Sequence, residues 1–218
     1  MMIYYRCYIT QEFLGFFYNV HKSTICHAIR RAETLVQPLF GVKRAPKISR
    51  KDAEAMIGDC TEQPIERPSV DAVQREHSSG KKKRHTVKTE YLITGAGRIA
   101  SVSPSHPGSS HDLSVRPAGV RLPEHVHLYG DSGYQGCDKD HRAFDFPYKK
   151  PKGGELNDDE KEYNRGFSRF RVRVEHSIGR IKRFKILSER HRNPRPKHGT
   201  KASIVAGLVN LNAGFLAC

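Results

Sequence analysis

The chain has 218 residues, 37% of them hydrophobic, which is enough to form a substantial folded core and excludes a disordered tail. Lysine and arginine outnumber aspartate and glutamate by 38 to 23, so the net charge is +15 and a polyanionic partner is favoured. Nucleic acid is the first candidate and an anionic membrane surface is the second. The longest apolar run, Ala202 to Ala217, is interrupted by Asn210 and Asn212, and the N-terminal segment has no basic leader. We therefore expect neither a membrane span nor a signal peptide, and a cytoplasmic protein.

Cysteine and histidine patterns are not those of a metal-binding or disulfide-bonded domain. The five cysteines are scattered without a CxxC pair, and none of the twelve histidines belongs to an HExxH motif. A structural zinc site or a disulfide framework is therefore not indicated.

Residues 8–40 are predicted to form two helices with a break near Asn19, the pattern of a helix-turn-helix. Ser23 and Thr24 are expected to cap the second helix. The outward face of this helix would contact DNA through Lys22, Ser23, Thr24, His27, Arg30 and Arg31. The alternative is an ordinary helical hairpin with a basic, solvated face, because the turn lacks the usual glycine. We assign residues 1–48 to this module, and a basic linker at 41–49 leads from it into the second domain.

The second domain, residues 49–218, is predicted to contain a mixed sheet. Strands are expected at Met56–Thr61, Thr86–Thr94, Ile99–Ser103 and Val126–Tyr129, with a hairpin turn at Gly95–Arg98. A meander followed by a strand that returns after a crossing segment is typical of a sheet with both parallel and antiparallel pairs.

A long helix is predicted to begin at Asp158, because Asn157 and Glu160 have the spacing of a capping box. We expect it to continue toward Glu189, with a bend at Gly166 or Gly179. A last apolar helix from about Ala202 should pack on the sheet.

Three charged side chains fall on one face of the long helix: Arg171, Glu175 and Lys182 are four and seven residues apart. Neighbouring positive charge keeps a carboxylate ionised, which suits a metal ligand near phosphates. The alternative is a solvated helix face with mild ion pairing.

Two further carboxylates are candidates because of where they lie in the predicted sheet. Asp59 falls in a strand and Asp131 follows a strand, although each is also common as a turn residue. Asp112, between glycine and serine neighbours, is a weaker candidate. Carboxylates without paired cysteine or histidine suit Mg²⁺ or Mn²⁺, and two such ions can promote an in-line displacement at phosphorus.

The ordered blocks of this chain resemble the DDE-superfamily transposases of bacterial insertion elements, specifically insertion-sequence family five and its Harbinger-like relatives. The blocks are DCTEQPIERP from Asp59, SGKKKRHTVKTEYLIT from Ser79, HPGSSHD from His106, GDSGYQG around Asp131, KKPKGGELNDDEKEYNR from Lys149 and FRVRVEHSIGRIKRFKIL from Phe170.

The resemblance implies a ribonuclease H-like catalytic domain in which Asp59, Asp131 and Glu175 bind two Mg²⁺ or Mn²⁺ ions, with Arg171 and Lys182 as companions of the glutamate. It also implies a front helix-turn-helix, N-terminally truncated here, that binds terminal inverted repeats. A homo-oligomer acting on element-end and target DNA in the bacterial nucleoid follows from the same resemblance. A tyrosine common in related elements is replaced by Ser168.

The basic run Lys81, Lys82, Lys83 and Arg84 is predicted to contact the DNA backbone, because it adjoins a sheet strand in a strongly basic protein. Charge runs are also often only solvated surface. Two alternatives to transposition stay open at this point: a non-catalytic, domesticated DNA-binding derivative, and a ribonuclease H-like nuclease that hydrolyses without joining strands.

Overall fold

The fold is taken from a computed structural model that describes residues 1–43, 55–115, 126–130, 144–151 and 153–215. The expected linker at 41–49 and the residue Asp131 therefore lie wholly or partly outside the described residues. None of the helices within these ranges is long and apolar enough to cross a bilayer.

The N-terminal segment forms three helices, α1 (Met2–Cys7), α2 (Gln11–Phe17) and α3 (Lys22–Phe40). The predicted break is confirmed, since Asn19 separates α2 from α3 with φ of 50°, a left-handed conformation that asparagine tolerates better than most residues. The predicted cap is wrong. His21 is the N-cap of α3, and its Nδ1 accepts the backbone N–H of Ser23 at 3.3 Å. Because the helix starts at Lys22, Ser23 and Thr24 already lie in its first turn.

Seven strands form one mixed sheet among the described residues. They are β1 (Met56–Pro64), β2 (Ser78–Ser79), β3 (Arg84–Thr94), β4 (Ile99–Val102), β5 (His106–Pro107), β6 (Leu128–Gly130) and β7 (Phe144–Asp145). Their order is β2-β3-β1-β6-β7, and β4 and β5 also pair with β3. β1 is antiparallel to β3 and parallel to β6, so the prediction of a mixed sheet is confirmed. The predicted hairpin joins β3 to β4, and Gly97 supplies the positive φ of its turn.

The remaining helices follow or connect the strands. They are α4 (Asp71–His77), α5 (Asp112–Val115), α6 (Asp158–Lys182), α7 (Lys185–Ser188) and α8 (His198–Asn212), the last preceded by a 3₁₀ turn at Arg195–Lys197. The predicted start of α6 is confirmed by a complete capping box between Asn157 and Glu160. α6 runs unbroken through both glycines and ends at Lys182 rather than near Glu189. Phe184 takes an extended conformation there and packs against the core.

Each face of the sheet has its own hydrophobic cluster, as the alternation of side chains along β1 requires. Ile57 joins the larger cluster, which collects side chains from α1, α3, α6 and α8, whereas its neighbour Met56 joins the smaller one on the opposite face. The end of α3 lies directly against α8: a Cβ at Gly207 would lie 1.6 Å from the carbonyl oxygen of Phe40. Only glycine permits this approach.

Candidate active site

Asp59 lies near the middle of β1 on the face covered by α6 and α8. It is directly opposite Tyr91 of β3 in the antiparallel register, and Tyr91 and Ile57 both belong to the larger core cluster. Asp59 is half-buried. Burial raises the pKa of Tyr91 above its ordinary value.

β1 pairs in parallel with β6, the strand that ends immediately before Asp131 in the sequence. Gly58 pairs with Gly130, the last residue of β6. Asp59 follows Gly58, and Asp131 follows Gly130 in the sequence. Asp131 lies outside the described residues, so the structure does not test its predicted role.

α6 packs over the same face of the sheet and carries Glu175. Phe170 makes an edge-to-face contact with Tyr129 of β6 at 5.1 Å between ring centroids, and Phe167 contacts the same ring at 5.8 Å. α6 also contacts β1. The helix that bears Glu175 is therefore fixed to the two strands that contain Asp59 and precede Asp131.

Glu175 projects from the exposed part of this helix and is paired with Arg171, whose Nε lies 3.5 Å from Oε1. The Glu175 and Arg171 side chains are 61% and 42% exposed, so the pair contributes on the order of 0–1 kcal/mol to stability. Lys182 is also exposed, seven residues further on. At about 1.5 Å per residue it lies roughly 10 Å along the helix axis from Glu175. The expected alignment on one helical face is present.

The described donors suit a hard divalent cation, because both Asp59 and Glu175 offer carboxylate oxygens, the ligands that Mg²⁺ and Mn²⁺ prefer. Within the described ranges, no three His, Cys, Asp or Glu side chains come close enough together to hold a metal ion. The three-carboxylate site thus stays a prediction that includes Asp131. Asp112, the weaker candidate, is the first residue of α5.

The predicted DNA contacts fall on two exposed surfaces. Along α3, the side chains predicted to face outward are all exposed: Lys22, Ser23, Thr24, His27, Arg30 and Arg31. The basic run forms the turn before β3 and the start of that strand, where Lys81, Lys82, Lys83 and Arg84 are exposed.

Two polar residues of α6 were not anticipated from the sequence. Arg173 donates to the carbonyl of Gly95 at 3.0 Å, and the buried Ser177 donates to the carbonyl of Gly97 at 2.9 Å. A serine among the apolar positions of an amphipathic helix was the available indication, but its partner is 80 residues away.

The chain matches a known family of nucleases over most of its length. A family described as DDE superfamily endonuclease matches residues 58–210, and the chain belongs to that family. The matched range includes Asp59, Asp131 and the whole of the Arg171–Lys182 segment. The chain is also 33% identical over 220 residues to a probable transposase for insertion sequence element IS702 from Microchaete diplosiphon. The similarity covers 98% of this chain and 79% of the relative.

Proposed function

We propose that this endonuclease is a transposase that binds the ends of an insertion element, cuts them and joins the released 3′-hydroxyl to target DNA. The observation that carries the proposal is the parallel pairing of Gly58 with Gly130, with the Glu175 helix packed over the same two strands. The similarity to a probable transposase over nearly the whole chain supports it. The proposal includes a ribonuclease H-like catalytic domain and action on the DNA of a bacterial nucleoid.

The residues proposed to hold the metal are Asp59, Asp131 and Glu175, with Arg171 orienting the glutamate. Two Mg²⁺ or Mn²⁺ ions bound there would polarise the scissile phosphate and the attacking oxygen. Lys182, further along α6, would neutralise a DNA phosphate beside the reacting one.

The proposed reaction has two steps, hydrolysis of the element end and transfer of its 3′-hydroxyl to the target. Water attacks phosphorus and the P–O3′ bond breaks, which leaves a 5′-phosphate and a free 3′-hydroxyl. That hydroxyl then attacks a phosphodiester of the target, and the new bond forms as the target's own 3′-oxygen leaves. Neither step needs a covalent bond between DNA and protein.

Carboxylate removal tests the catalytic assignment. Asp131→Asn and Glu175→Gln should each reduce Mg²⁺-dependent strand cleavage to the level measured without metal, because a neutral amide is a poor ligand for a hard cation. Binding to the same DNA, measured by gel shift, should stay within about twofold of wild type. Arg171→Ala should reduce cleavage less completely.

Glu162→Gln is the matched control, since Glu162 is an exposed glutamate of the same helix. It should cleave like wild type. Cleavage that survives both Asp131→Asn and Glu175→Gln would remove these residues from the site. A strand-transfer assay with a precut 3′-hydroxyl end separates a transposase from a nuclease that only hydrolyses, and binding without cleavage under any divalent ion indicates a non-catalytic derivative.

The two basic surfaces should affect DNA binding differently. Replacing Lys81, Lys82, Lys83 and Arg84 together with glutamine should weaken binding to element-end and unrelated DNA equally. The slope of the logarithm of the binding constant against the logarithm of the salt concentration should become shallower by up to about 0.9 per lost phosphate contact. Arg30→Ala on α3 should instead reduce the preference for element-end DNA. Fluorescence anisotropy from 50 to 200 mM KCl measures both. An unchanged salt dependence in the quadruple variant would show that the basic run is solvated surface that does not contact DNA phosphates.

A further inference from the structure

Two hydrogen bonds attach α6 to the β3–β4 hairpin on either side of Glu175. Arg173 precedes the glutamate by two residues and donates to Gly95, and Ser177 follows it by two and donates to Gly97. Ser177 is 1% exposed, so its hydroxyl is fully withdrawn from solvent. Both acceptors are backbone carbonyls of one tight turn, whose positions are set by the sheet.

The turn is built to accept the helix. A Cβ at Gly95 would lie 3.1 Å from Phe170 of α6, and one at Gly97, where φ is 89°, would lie 3.4 Å from the Ser177 hydroxyl. A side chain at position 95 would crowd Phe170, and the positive φ at position 97 strains any residue other than glycine, so the two glycines suit this close contact between turn and helix.

The β3–β4 turn is itself hydrogen-bonded to the residue that precedes the Asp59 strand. The N–H of Gly95 donates to the carbonyl of Ala55 at 2.8 Å, and Ala55 immediately precedes β1. A continuous series of hydrogen bonds therefore leads from α6 through the hairpin to the start of the Asp59 strand.

We propose that Ser177, assisted by Arg173, is a positioning residue that fixes the distance of Glu175 from Asp59 by clamping α6 to the β3–β4 turn. This rests on the proposed function, in which both carboxylates hold the metal. Ser177 touches neither metal nor DNA in this proposal; it acts through the placement of its helix. Groups hydrogen-bonded directly to metal ligands typically change metal affinity by roughly 10- to 100-fold when removed, and we expect Ser177, which acts through its helix, to have an effect at the lower end of that range.

The test is Ser177→Ala, with Mn²⁺ binding in the absence of DNA followed by electron paramagnetic resonance. Mn²⁺ binding should weaken about tenfold. Cleavage should require a correspondingly higher metal concentration, while the KM for DNA stays unchanged. Ser177→Thr, which restores a hydroxyl, should recover most of the affinity.

Ser203→Ala is the matched control. Ser203 lies on α8 and donates to the carbonyl of Val42 at 2.9 Å, so its removal deletes the same kind of bond between a helix and a neighbouring segment, away from Glu175. It should lower the free energy of unfolding, as Ser177→Ala does, without changing Mn²⁺ binding.

Glu175→Gln separates the two levels of the proposal. If Glu175→Gln binds Mn²⁺ like wild type, the metal assignment itself fails. If Glu175→Gln loses Mn²⁺ binding but Ser177→Ala keeps the wild-type affinity, the clamp is overturned and the catalytic assignment stands. An equal loss of Mn²⁺ affinity in Ser177→Ala and Ser203→Ala would also overturn the clamp, because it would show a general effect of lowered stability.

Discussion

The buried hydrogen-bond partners of His198 select one tautomer of its neutral ring. The side-chain N–H groups of Gln63 donate to the carbonyls of Ile186 and Glu189 at 2.8 and 2.6 Å, which leaves the Gln63 oxygen to accept a hydrogen bond. His198 Nε2 lies 2.7 Å from that oxygen and must carry the proton. Its Nδ1 then accepts the Ser105 hydroxyl at 2.6 Å.

These contacts lead to a prediction for acid stability. Burial, the adjacent His191 and the charge of Lys201 lower the pKa of His198 to about 3, and burial and Lys201 lower the pKa of His191 to about 4. An unfolded histidine binds a proton below about pH 6.5, whereas these two stay neutral in the folded protein until about pH 4. The free energy of unfolding should therefore fall as the pH drops from 7 to 5, by on the order of 1–2 kcal/mol per histidine.

Urea unfolding at both pH values measures this. His191→Gln and His198→Gln should each show a smaller loss of stability between pH 7 and 5 than wild type. His27→Gln, at an exposed position of α3, should keep the wild-type pH dependence. A wild-type protein equally stable at the two pH values would contradict the prediction.

At the scale of the element, the start of α6 depends on its capping box. Asn157 accepts the N–H of Glu160 at 2.7 Å, and the Glu160 carboxylate accepts the N–H of Asn157 at 2.9 Å. Asn157→Ala should lower the free energy of unfolding by about 1 kcal/mol. Asn157→Asp, which preserves an acceptor at the cap, should lose much less. Equal stability of the two variants in urea would mean that tertiary packing alone holds the helix start.

Elements whose sequence signals lie within a few residues of each other could be predicted, whereas features that depend on contacts between distant parts of the chain could not. The β3–β4 hairpin and the start of α6 follow from residues within a few positions of each other. The cap of α3 was misassigned, because serine and threonine are commoner caps than the His21 imidazole that takes this place. The two-residue strands β2, β5 and β7 are too short to show any period. Ser177 was missed because its partner, Gly97, comes from another part of the chain.

At the scale of the whole molecule, a buried ion pair joins the N-terminal helices to the helix that covers the sheet. Lys201 of α8 lies 2.9 Å from Glu33 of α3, with side-chain exposures of 3% and 7%. The hydroxyl of Tyr5 in α1 donates to the same carboxylate oxygen at 2.9 Å. The position of the predicted domain boundary stays a prediction, but side chains from both sides of it form one core cluster.

Breaking this pair should destabilise the molecule as a unit. Lys201→Met should lower the free energy of unfolding by about 3–5 kcal/mol, because it leaves a buried carboxylate without its cation. Adding Glu33→Leu to that variant should recover part of the loss. Urea unfolding followed by circular dichroism should show a single transition in each case. Fully additive losses would indicate that the two charges are not coupled.

The contact between Phe40 and Gly207 has a consequence for where the enzyme cuts. α8 packs on β4 of the same sheet that contains the Asp59 strand, so the end of α3 is held at a constant distance from that sheet. On the proposed function, α3 recognises a DNA sequence and the same subunit cuts a phosphate nearby. The rigid fold would then set a constant number of base pairs between the recognised sequence and the cut.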